Sequence, residues 1–254
     1  KNLGLKKQWK SLFGNEKDFK KGYLDKSNKL KKNKDFIRFN NEFLTEIIKK
    51  ELIDIRIFGS AMAVEGVSRT YTGPIQISWG YSLHPVELVK SSTITSIMNE
   101  DNSTFGKKYK LYYALVAHYG TINKYNAKLT GMTEGDRELF RKSLVQGIIA
   151  NQTDSKQGQE PLFYFEVLYK PKFDGYLGDL RRFVDVNHKK EGIRSIDDMT
   201  LDFIRFNDAI EYMKEMGYVD KVVGWKHPFV KKENLINMPK YEEIDLWAPV
   251  KMEG

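Results

Sequence analysis

The sequence predicts an α+β fold, in which a sheet packs against helices. Several short segments alternate apolar and polar residues, which is the two-residue period of a strand. Other segments carry apolar residues at helical spacing behind a recognisable first turn. Because the two kinds of segment are mixed along the chain, the pattern is typical of a sheet domain with insertions.

Four strands and one hairpin are predicted from the alternating segments, with the strands at 53–57, 75–79, 109–118 and 162–169 and the hairpin at 86–108. Gly59 ends the first strand, and Gly73-Pro74 marks the start of the second. The hairpin is rich in Ser, Thr and Asn. Its turn-forming run Asn99–Ser103 places the tip near residues 99–104.

Three helices are predicted, at 35–50, from Thr133 and from Ser195. Thr133 and Ser195 are residues that commonly cap a helix, and acidic residues follow each of them in the first turn. The residues from Trp225 onward are spaced by prolines and are predicted to wrap the surface. The order strand, strand, hairpin, strand, helix, strand and helical C-terminal part favours a ferredoxin-like or RRM-like domain.

All the excess positive charge of the chain lies in its first fifth. The 254 residues carry 42 Lys or Arg and 34 Asp or Glu, for a net charge of +8. Residues 1–50 hold 15 of the basic and 6 of the acidic residues, so the remainder is nearly neutral. Such a block predicts a surface for polyphosphate. A lysine-rich segment that is merely solvated is the alternative.

The residue types exclude several classes of function. The chain has no cysteine, so disulfides, thiolate metal sites and cysteine catalysis are excluded. Its four histidines are scattered, and no GxSxG, P-loop, HExxH or GxGxxG motif occurs. Asp197-Asp198 is expected to serve a helix N-terminus, and Asp174 and Asp179 to form Asx turns rather than a metal site. We therefore expect no catalytic residue, metal or cofactor.

Neither an apolar run long enough to span a bilayer nor a signal peptide is found in the sequence. A cytoplasmic protein that does not enter a membrane is therefore expected.

Two segments hold candidate ligands for a nucleic-acid backbone. Ser155, Lys156, Gln157 and Gln159 lie between a predicted helix and a predicted strand, and offer a cation and amide donors for a phosphate and a 2′-hydroxyl. A plain polar loop has the same composition. His84 follows a predicted strand, and Pro85 favours an extended backbone there, so the imidazole can reach a sugar or phosphate. A structural histidine is the alternative.

Six segments occur in an order that resembles one family: IDIRIFG at 53–59, TGPIQISWGYSLHPVE at 72–87, STIT at 92–95, TFGKKY at 104–109, NAKLTGMTEGD at 126–136 and GDLRR at 178–182. Together they resemble type I-B Cas7, the repeating backbone subunit of a CRISPR surveillance complex. The resemblance is best over residues 50–182. Residues 1–50 match only in being basic.

The resemblance implies an RRM-like (ferredoxin-like) palm with a finger insertion and a thumb β-hairpin. Residues 1–50 correspond to the basic finger, 51–182 to the palm with the thumb at 86–108, and 183–254 to a C-terminal helical part that completes the palm. Arg56 is expected on a palm strand and His84 at the base of the thumb. The implied RNA-binding residues are Lys31, Lys32, Lys34, Arg56, His84, Thr93, Thr95, Lys107, Ser155, Lys156, Gln157 and Gln159.

The implied function is that of a non-catalytic backbone subunit of type I-B Cascade. It would polymerise along the crRNA, kink it with the thumb and present the guide for pairing with target DNA. The implied partners are crRNA, target DNA, further Cas7 copies, Cas5, Cas8, the small Cascade subunits and Cas3. Two alternatives stay open: a type III-like ribonuclease that cuts target RNA with Asp101 of the thumb tip and a divalent metal, and an RRM-like module acting alone.

Overall fold

The computed structural model describes residues 45, 47–64, 67–89, 93–97, 103–107, 110–153 and 155–249. The chain folds into two compact units, each built from two stretches. Unit 1 takes Lys1–Gln76 and Thr121–Glu138, and unit 2 takes Ile77–Gly120 and Leu139–Gly254. Helices and small sheets occur in mixed order, so the predicted α+β class is confirmed.

The regular elements within these residues are, in chain order, α1 (Ile53–Phe58), β1 (Gly59–Val64), β2 (Val67–Thr72), β3 (Ile75–Ile77), β4 (Tyr81–Ser82), β5 (Thr93–Ile97), β6 (Ser103–Lys107), β7 (Val116–Ala117), β8 (Gly120–Ile122), α2 (Lys124–Thr130), α3 (Glu134–Ala150), β9 (Phe163–Tyr169), β10 (Asp185–His188), β11 (Met199–Asp202), α4 (Ile204–Glu215), β12 (Val219–Lys226), β13 (Leu235–Ile236) and β14 (Glu242–Glu243). None of the helices in this part of the chain is long and apolar enough to cross a membrane.

Unit 1 contains a β-hairpin and short helices. β1 and β2 pair in antiparallel fashion, with Gly59 opposite Thr72. Residues 47–51 are helical, which agrees with the end of the helix predicted at 35–50; most of the earlier part of that prediction lies outside the described residues. The strand predicted at 75–79 is shorter than expected, because β3 ends at Ile77.

Two of the helices that begin in unit 1, α2 and α3, are capped by side chains. Asn123 caps α2, since its Oδ1 accepts hydrogen bonds from the amides of Tyr125 and Asn126 at 2.9 and 3.1 Å. Thr133 caps α3 as predicted. Its Oγ1 accepts from the amide of Asp136 at 3.1 Å, and the Asp136 carboxylate accepts from the amide of Thr133 at 2.8 Å. This reciprocal pair is a capping box, and it fixes the start of α3.

The strand predicted at 53–57 is wrong, because these residues form helix α1. Three isoleucines within five residues fit a strand and a helical turn about equally well. The spacing of the apolar residues in so short a segment therefore does not distinguish a strand from a helix. Only Ile57 of α1 is buried, and Arg56, expected on a strand, lies on the helix. Gly59 ends the element as predicted, with a φ of 85°.

Two three-stranded sheets and helix α4 contribute to the main core of unit 2. One sheet has the order β14-β12-β9, with β9 antiparallel to β12, and the other has the order β10-β11-β13. The aromatic strand predicted at 162–169 is confirmed as β9. Leu201 and Phe203 are almost fully buried, and Phe206 and Ile210 line the inner face of α4 at helical spacing.

The helix predicted from Ser195 begins only at Ile204, where α4 starts. Ser195 does act as a cap, but it caps the 3₁₀ turn Ile196–Asp198, and strand β11 follows directly. A capping signature marks where a helical turn begins, and it carries no information on how many turns follow. The expectation that Asp197-Asp198 serves a helical N-terminus is confirmed for this short turn.

The surface tail predicted from Trp225 is wrong over much of its length. Trp225 lies within β12 and is 4% exposed. Further along, Val230, Leu235 and Leu246 are buried. β13 and β14 extend the two sheets by pairing in parallel with β11 and β12. The prolines mark the turns between these strands. The strands themselves are too short to show an alternation of apolar and polar residues, so the sequence did not predict them.

Candidate nucleic-acid interface

The predicted hairpin forms the outer part of a long antiparallel pair of strands in unit 2. β5 and β6 pair along their whole length, beginning with Thr93 opposite Lys107, which confirms the hairpin. The same two stretches of chain also pair nearer the sheets, where Tyr81 lies opposite Ala117. We call the described residues from 81 to 97 and from 103 to 117 the ribbon.

The continuous strand predicted at 109–118 is wrong, because pairing within the ribbon is interrupted. Within the described residues 110–118, only Val116–Ala117 forms a regular strand, and Leu111 makes a single bridge with Leu88. Apolar and polar residues do alternate in this segment. Alternation within one strand, however, does not predict whether its pairing with the opposite strand continues without a shift in register.

The interruption is a one-residue bulge between two cross-strand pairs. The amide of Leu83 donates to the carbonyl of Leu115 at 2.9 Å, and further along Leu88 lies opposite Leu111. The first strand therefore uses one residue more than the second between these two pairs. Such a bulge changes the local twist of a ribbon and redirects its side chains.

His84 lies in this bulge, and its side chain takes the place of a backbone carbonyl as the hydrogen-bond acceptor for the amide of Leu115. Its Nε2 accepts a hydrogen bond from the amide of Leu115 at 3.1 Å, and its Nδ1 lies 2.8 Å from the carbonyl of Pro85. Because Nε2 accepts, the ring proton is on Nδ1, which donates to Pro85. The residue is 6% exposed and stacks on Tyr113, whose pKa burial raises to about 12. Both nitrogens of the predicted RNA ligand are thus engaged with the backbone.

We expect His84→Ala to destabilise the protein by about 1–3 kcal/mol, because the buried amide of Leu115 then has no acceptor. Urea unfolding measures this change, with exposed His118→Ala as the control. Imidazole ¹⁵N shifts of the wild type should report the neutral tautomer protonated on Nδ1. Equal stability of the two variants, or the other tautomer, would contradict the assigned role.

Arg194 contacts the ribbon midway along its length. Its Nη1 donates to the carboxylate of Glu87 at 2.8 Å, and its guanidinium lies 3.8 Å from the ring centroid of Tyr112. One partner comes from each strand. The Arg194 side chain is 44% exposed, so solvent screens this contact.

Arg181 contacts the ribbon at its base. Its Nη1 donates to the carbonyl of Trp79 at 2.9 Å and to that of Ala117 at 3.1 Å. Its guanidinium lies 4.1 Å from the ring centroid of Tyr81, a cation–π arrangement. Asp179 holds the same guanidinium, with Nη2 donating to Oδ2 at 2.7 Å. The hydrogen bond from Arg181 keeps the pKa of Asp179 below its ordinary value, so the pair is ionised at neutral pH.

The predicted loop of Ser155, Lys156, Gln157 and Gln159 forms an exposed turn between α3 and β9. The amide of Gln159 donates to the carbonyl of Lys156 at 3.3 Å, and Gly158 has a φ of 79°. This backbone leaves the four side chains in solvent. The turn is therefore accessible to a ligand, as a phosphate site requires.

Arg56 lies in unit 1 and is committed to internal partners. Its Nε and Nη2 donate to the two oxygens of Asp136 at 2.8 and 2.6 Å. Its Nη1 donates to the carbonyls of Lys49 and Lys50 at 2.7 and 2.9 Å. The hydrogen bonds that Arg56 donates to the Asp136 carboxylate raise the pKa of Arg56. The residue that was expected to touch RNA thus has a clear structural role.

The remaining predicted ligands belong to the first fifth of the chain and to the hairpin. Lys31, Lys32 and Lys34 lie outside the described residues. Thr93 and Thr95 lie on β5, and Lys107 lies on β6, with Thr93 directly opposite Lys107. The strand register thus places two of the predicted residues opposite each other on the hairpin.

The structure offers no metal site among the residues it describes, since no three His, Asp or Glu side chains there are grouped to hold an ion. Asp179 forms the predicted Asx turn, with Oδ1 accepting from the amide of Arg181 at 3.0 Å. Asp197 and Asp198 form ion pairs with Lys231 and Lys189 at 2.6 and 2.5 Å. Asp101 lies outside the described residues.

Sequence reasoning missed the two arginines that hold the ribbon. Arg181 belongs to GDLRR, which served only to identify a resemblance, and the Asx-turn residue Asp179 two positions earlier was the available signal. Arg194 has no comparable signal, because its partners Glu87 and Tyr112 are distant in the sequence.

The sequence profile of the family described as CRISPR-associated protein Cas7 matches residues 2–204, which is most of the chain. The protein therefore belongs to the Cas7 family of CRISPR-associated proteins. The comparison with curated proteins found no match.

Proposed function

We propose that this protein is a non-catalytic backbone subunit of a type I-B Cascade complex. It would polymerise along a crRNA and present the guide for pairing with target DNA, in contact with Cas5, Cas8, the small subunits and Cas3. Membership of the Cas7 family supports crRNA binding and assembly into multimers. The six ordered segments that resemble the type I-B branch support the subtype. On this proposal the sheets and helices correspond to an RRM-like palm, residues 1–50 to the finger and the ribbon to the thumb.

The ribbon is the observation that carries the proposal. Apolar side chains along it are exposed: Val86, Leu88, Leu111 and Val116 are 45%, 58%, 47% and 49% exposed. A two-stranded ribbon is only marginally stable by itself, and grouped exposed apolar side chains commonly mark an interaction surface. A neighbouring copy in a filament would cover these residues, since a head-to-tail interface presents a different surface on each side.

The proposed contacts to RNA use the backbone rather than the bases. The guide sequence differs from one crRNA to the next, so phosphate and ribose are the groups that a backbone subunit can grip in every complex. The exposed turn with Lys156 and the hairpin residues Thr93 and Lys107 supply donors of the required kind. The basic residues 1–50 would add electrostatic attraction.

Purification of the full chain with its co-expressed nucleic acid tests the proposal. We expect regular filaments in negative-stain images, containing a CRISPR-repeat RNA of defined length, and a mass that corresponds to several copies. A nucleic-acid-free monomer would contradict it. RNA incubated with the complex in Mg²⁺ or Mn²⁺ should remain intact, and cleavage that Asp101→Ala abolishes would favour the type III-like ribonuclease instead.

The logarithm of the association constant for RNA should fall linearly with the logarithm of the salt concentration, with a slope of about −0.7 for each phosphate neutralised. We expect replacement of Lys31, Lys32 and Lys34 by glutamine to flatten this slope. A matched control replaces Lys170, Lys214 and Lys221, which removes the same charge but from lysines already in exposed ion pairs. Equal slopes for the two triple variants would mean that the first three lysines are only solvated.

A further inference from the structure

The base of the ribbon contains a second bulge, and Arg181 fills it. The amide of Ser78 donates to the carbonyl of Tyr119, whereas Tyr81 lies opposite Ala117, so the first strand again has one residue more. Regular cross-strand hydrogen bonding is interrupted at such a step. Arg181 donates to a carbonyl on each side of it, those of Trp79 and Ala117.

Three kinds of contact hold the Arg181 guanidinium in place. Asp179 accepts from its Nε and Nη2, the two carbonyls accept from its Nη1, and the ring of Tyr81 covers one face. The Arg181 side chain is 8% exposed, whereas that of Arg194, which contacts the ribbon midway along its length, is 44% exposed. A planar fork with several donors in a fixed geometry can make all these contacts at once, which an ammonium group cannot.

We propose that Arg181, held by Asp179, is a positioning residue that fixes the direction in which the ribbon leaves its base. This inference rests on the proposed function, because it assigns to Arg181 the placement of the hairpin against the guide strand. The residues from Tyr81 to Ile97 span roughly 50 Å when extended. A rotation of about 10° at the base would displace the tip by roughly 9 Å, about three times the length of a hydrogen bond.

Arg181→Lys is the informative variant, since it keeps the charge and loses the fork. Arg182→Lys is its matched control. Arg182 is the next residue and donates through Nη2 to the carbonyl of Leu177, with its guanidinium over the ring of Phe183. It makes no hydrogen bond to the described residues of the ribbon.

Amide hydrogen exchange on the full chain is the first readout. We expect Arg181→Lys to speed exchange at the ribbon amides of Leu83, Val89 and Tyr112 by about tenfold or more, because their local opening becomes easier. Amides in β9 and β12 should be unchanged in both variants. Unchanged ribbon exchange in Arg181→Lys would overturn the proposal, and so would an equal rise across β9 and β12, which would indicate a general loss of stability.

Titration with single-stranded RNA at several salt concentrations is the second readout. We expect Arg181→Lys to bind about tenfold more weakly with an unchanged salt slope, because no phosphate contact is lost. Arg182→Lys should bind like the wild type. Wild-type affinity in Arg181→Lys would overturn the positioning role. A wild-type chain that binds no RNA would overturn the proposed function instead, and the exchange readout alone would then decide whether Arg181 fixes the ribbon.

Discussion

Gly59→Ala is expected to destabilise unit 1 severely. A methyl group at Gly59 would lie 2.4 Å from both the amide nitrogen of Gly73 and the carbonyl oxygen of Tyr71. Both are backbone atoms, which cannot turn away as the end of a side chain can. Gly59 also has a φ of 85° and a ψ of −176°, a region that is essentially restricted to glycine. We expect a loss of more than about 4 kcal/mol, which is a large fraction of the roughly 5–15 kcal/mol by which a domain is typically stable.

Gly131→Ala provides the matched control for this prediction. Gly131 also has a positive φ, of 77°, but no atom lies within 4 Å of where its Cβ would be. Only backbone strain is added, so we expect a loss of about 1 kcal/mol. Urea unfolding and amide protection in α1, β1 and β2 measure both variants. Similar stabilities would mean that the close approach of Gly59 and Gly73 is not required for folding.

Arg56→Met is expected to destabilise unit 1 by about 3 kcal/mol, because it leaves the carboxylate of Asp136 buried without its charge partner. The two side chains are 16% and 6% exposed, so solvent cannot replace the lost interaction. Arg205→Met is the matched control: its ion pair with Asp185 is half exposed and should contribute less than about 1 kcal/mol. Equal losses on urea unfolding would contradict the role of Arg56.

The same pair predicts how stability depends on pH. Burial alone would raise the pKa of Asp136, but hydrogen bonds from Arg56 and Thr133 outweigh it and hold this pKa below its ordinary value. The unfolded chain therefore takes up the proton first as pH falls. The stabilisation is present above the unfolded pKa of about 4 and is lost as pH drops through the folded pKa. Asp136→Asn should be less stable than the wild type at pH 7, and the difference should narrow on acidification; a constant difference would contradict this account.

Sequence patterns predicted those parts of the fold that local chemistry determines. Thr133 caps α3 because a threonine with an aspartate three residues later satisfies the first amides of a helix wherever it occurs. The strand at β9 and the hairpin of β5 and β6 were predicted because alternation and turn-forming residues are local signals. The segment at 53–57 failed because its isoleucines fit two periods, and only contacts distant in the sequence decide between them.

The candidate site was predictable to a smaller extent, for the same reason. The turn around Lys156 is accessible as expected, since its composition makes a buried position costly. The structural partners of His84 and Arg56 could not be predicted, because Leu115 and Asp136 are 31 and 80 residues away in the sequence. The bulges of the ribbon were equally hidden, since they depend on the register of two strands and not on either strand alone.

The stretch that contains the ribbon, 77–120, belongs to unit 2 but interrupts the sequence of unit 1. The chain leaves unit 1 after Gln76 and returns at Thr121, and these residues belong to β3 and β8, which pair with each other. Lengthening or shortening the insertion at its outer end therefore need not disturb its point of attachment. Changes of two residues on each strand would keep every remaining side chain on its original face. The length of the ribbon is thus a property that evolution, or a protein engineer, can change two residues at a time while the sheets and helices stay the same.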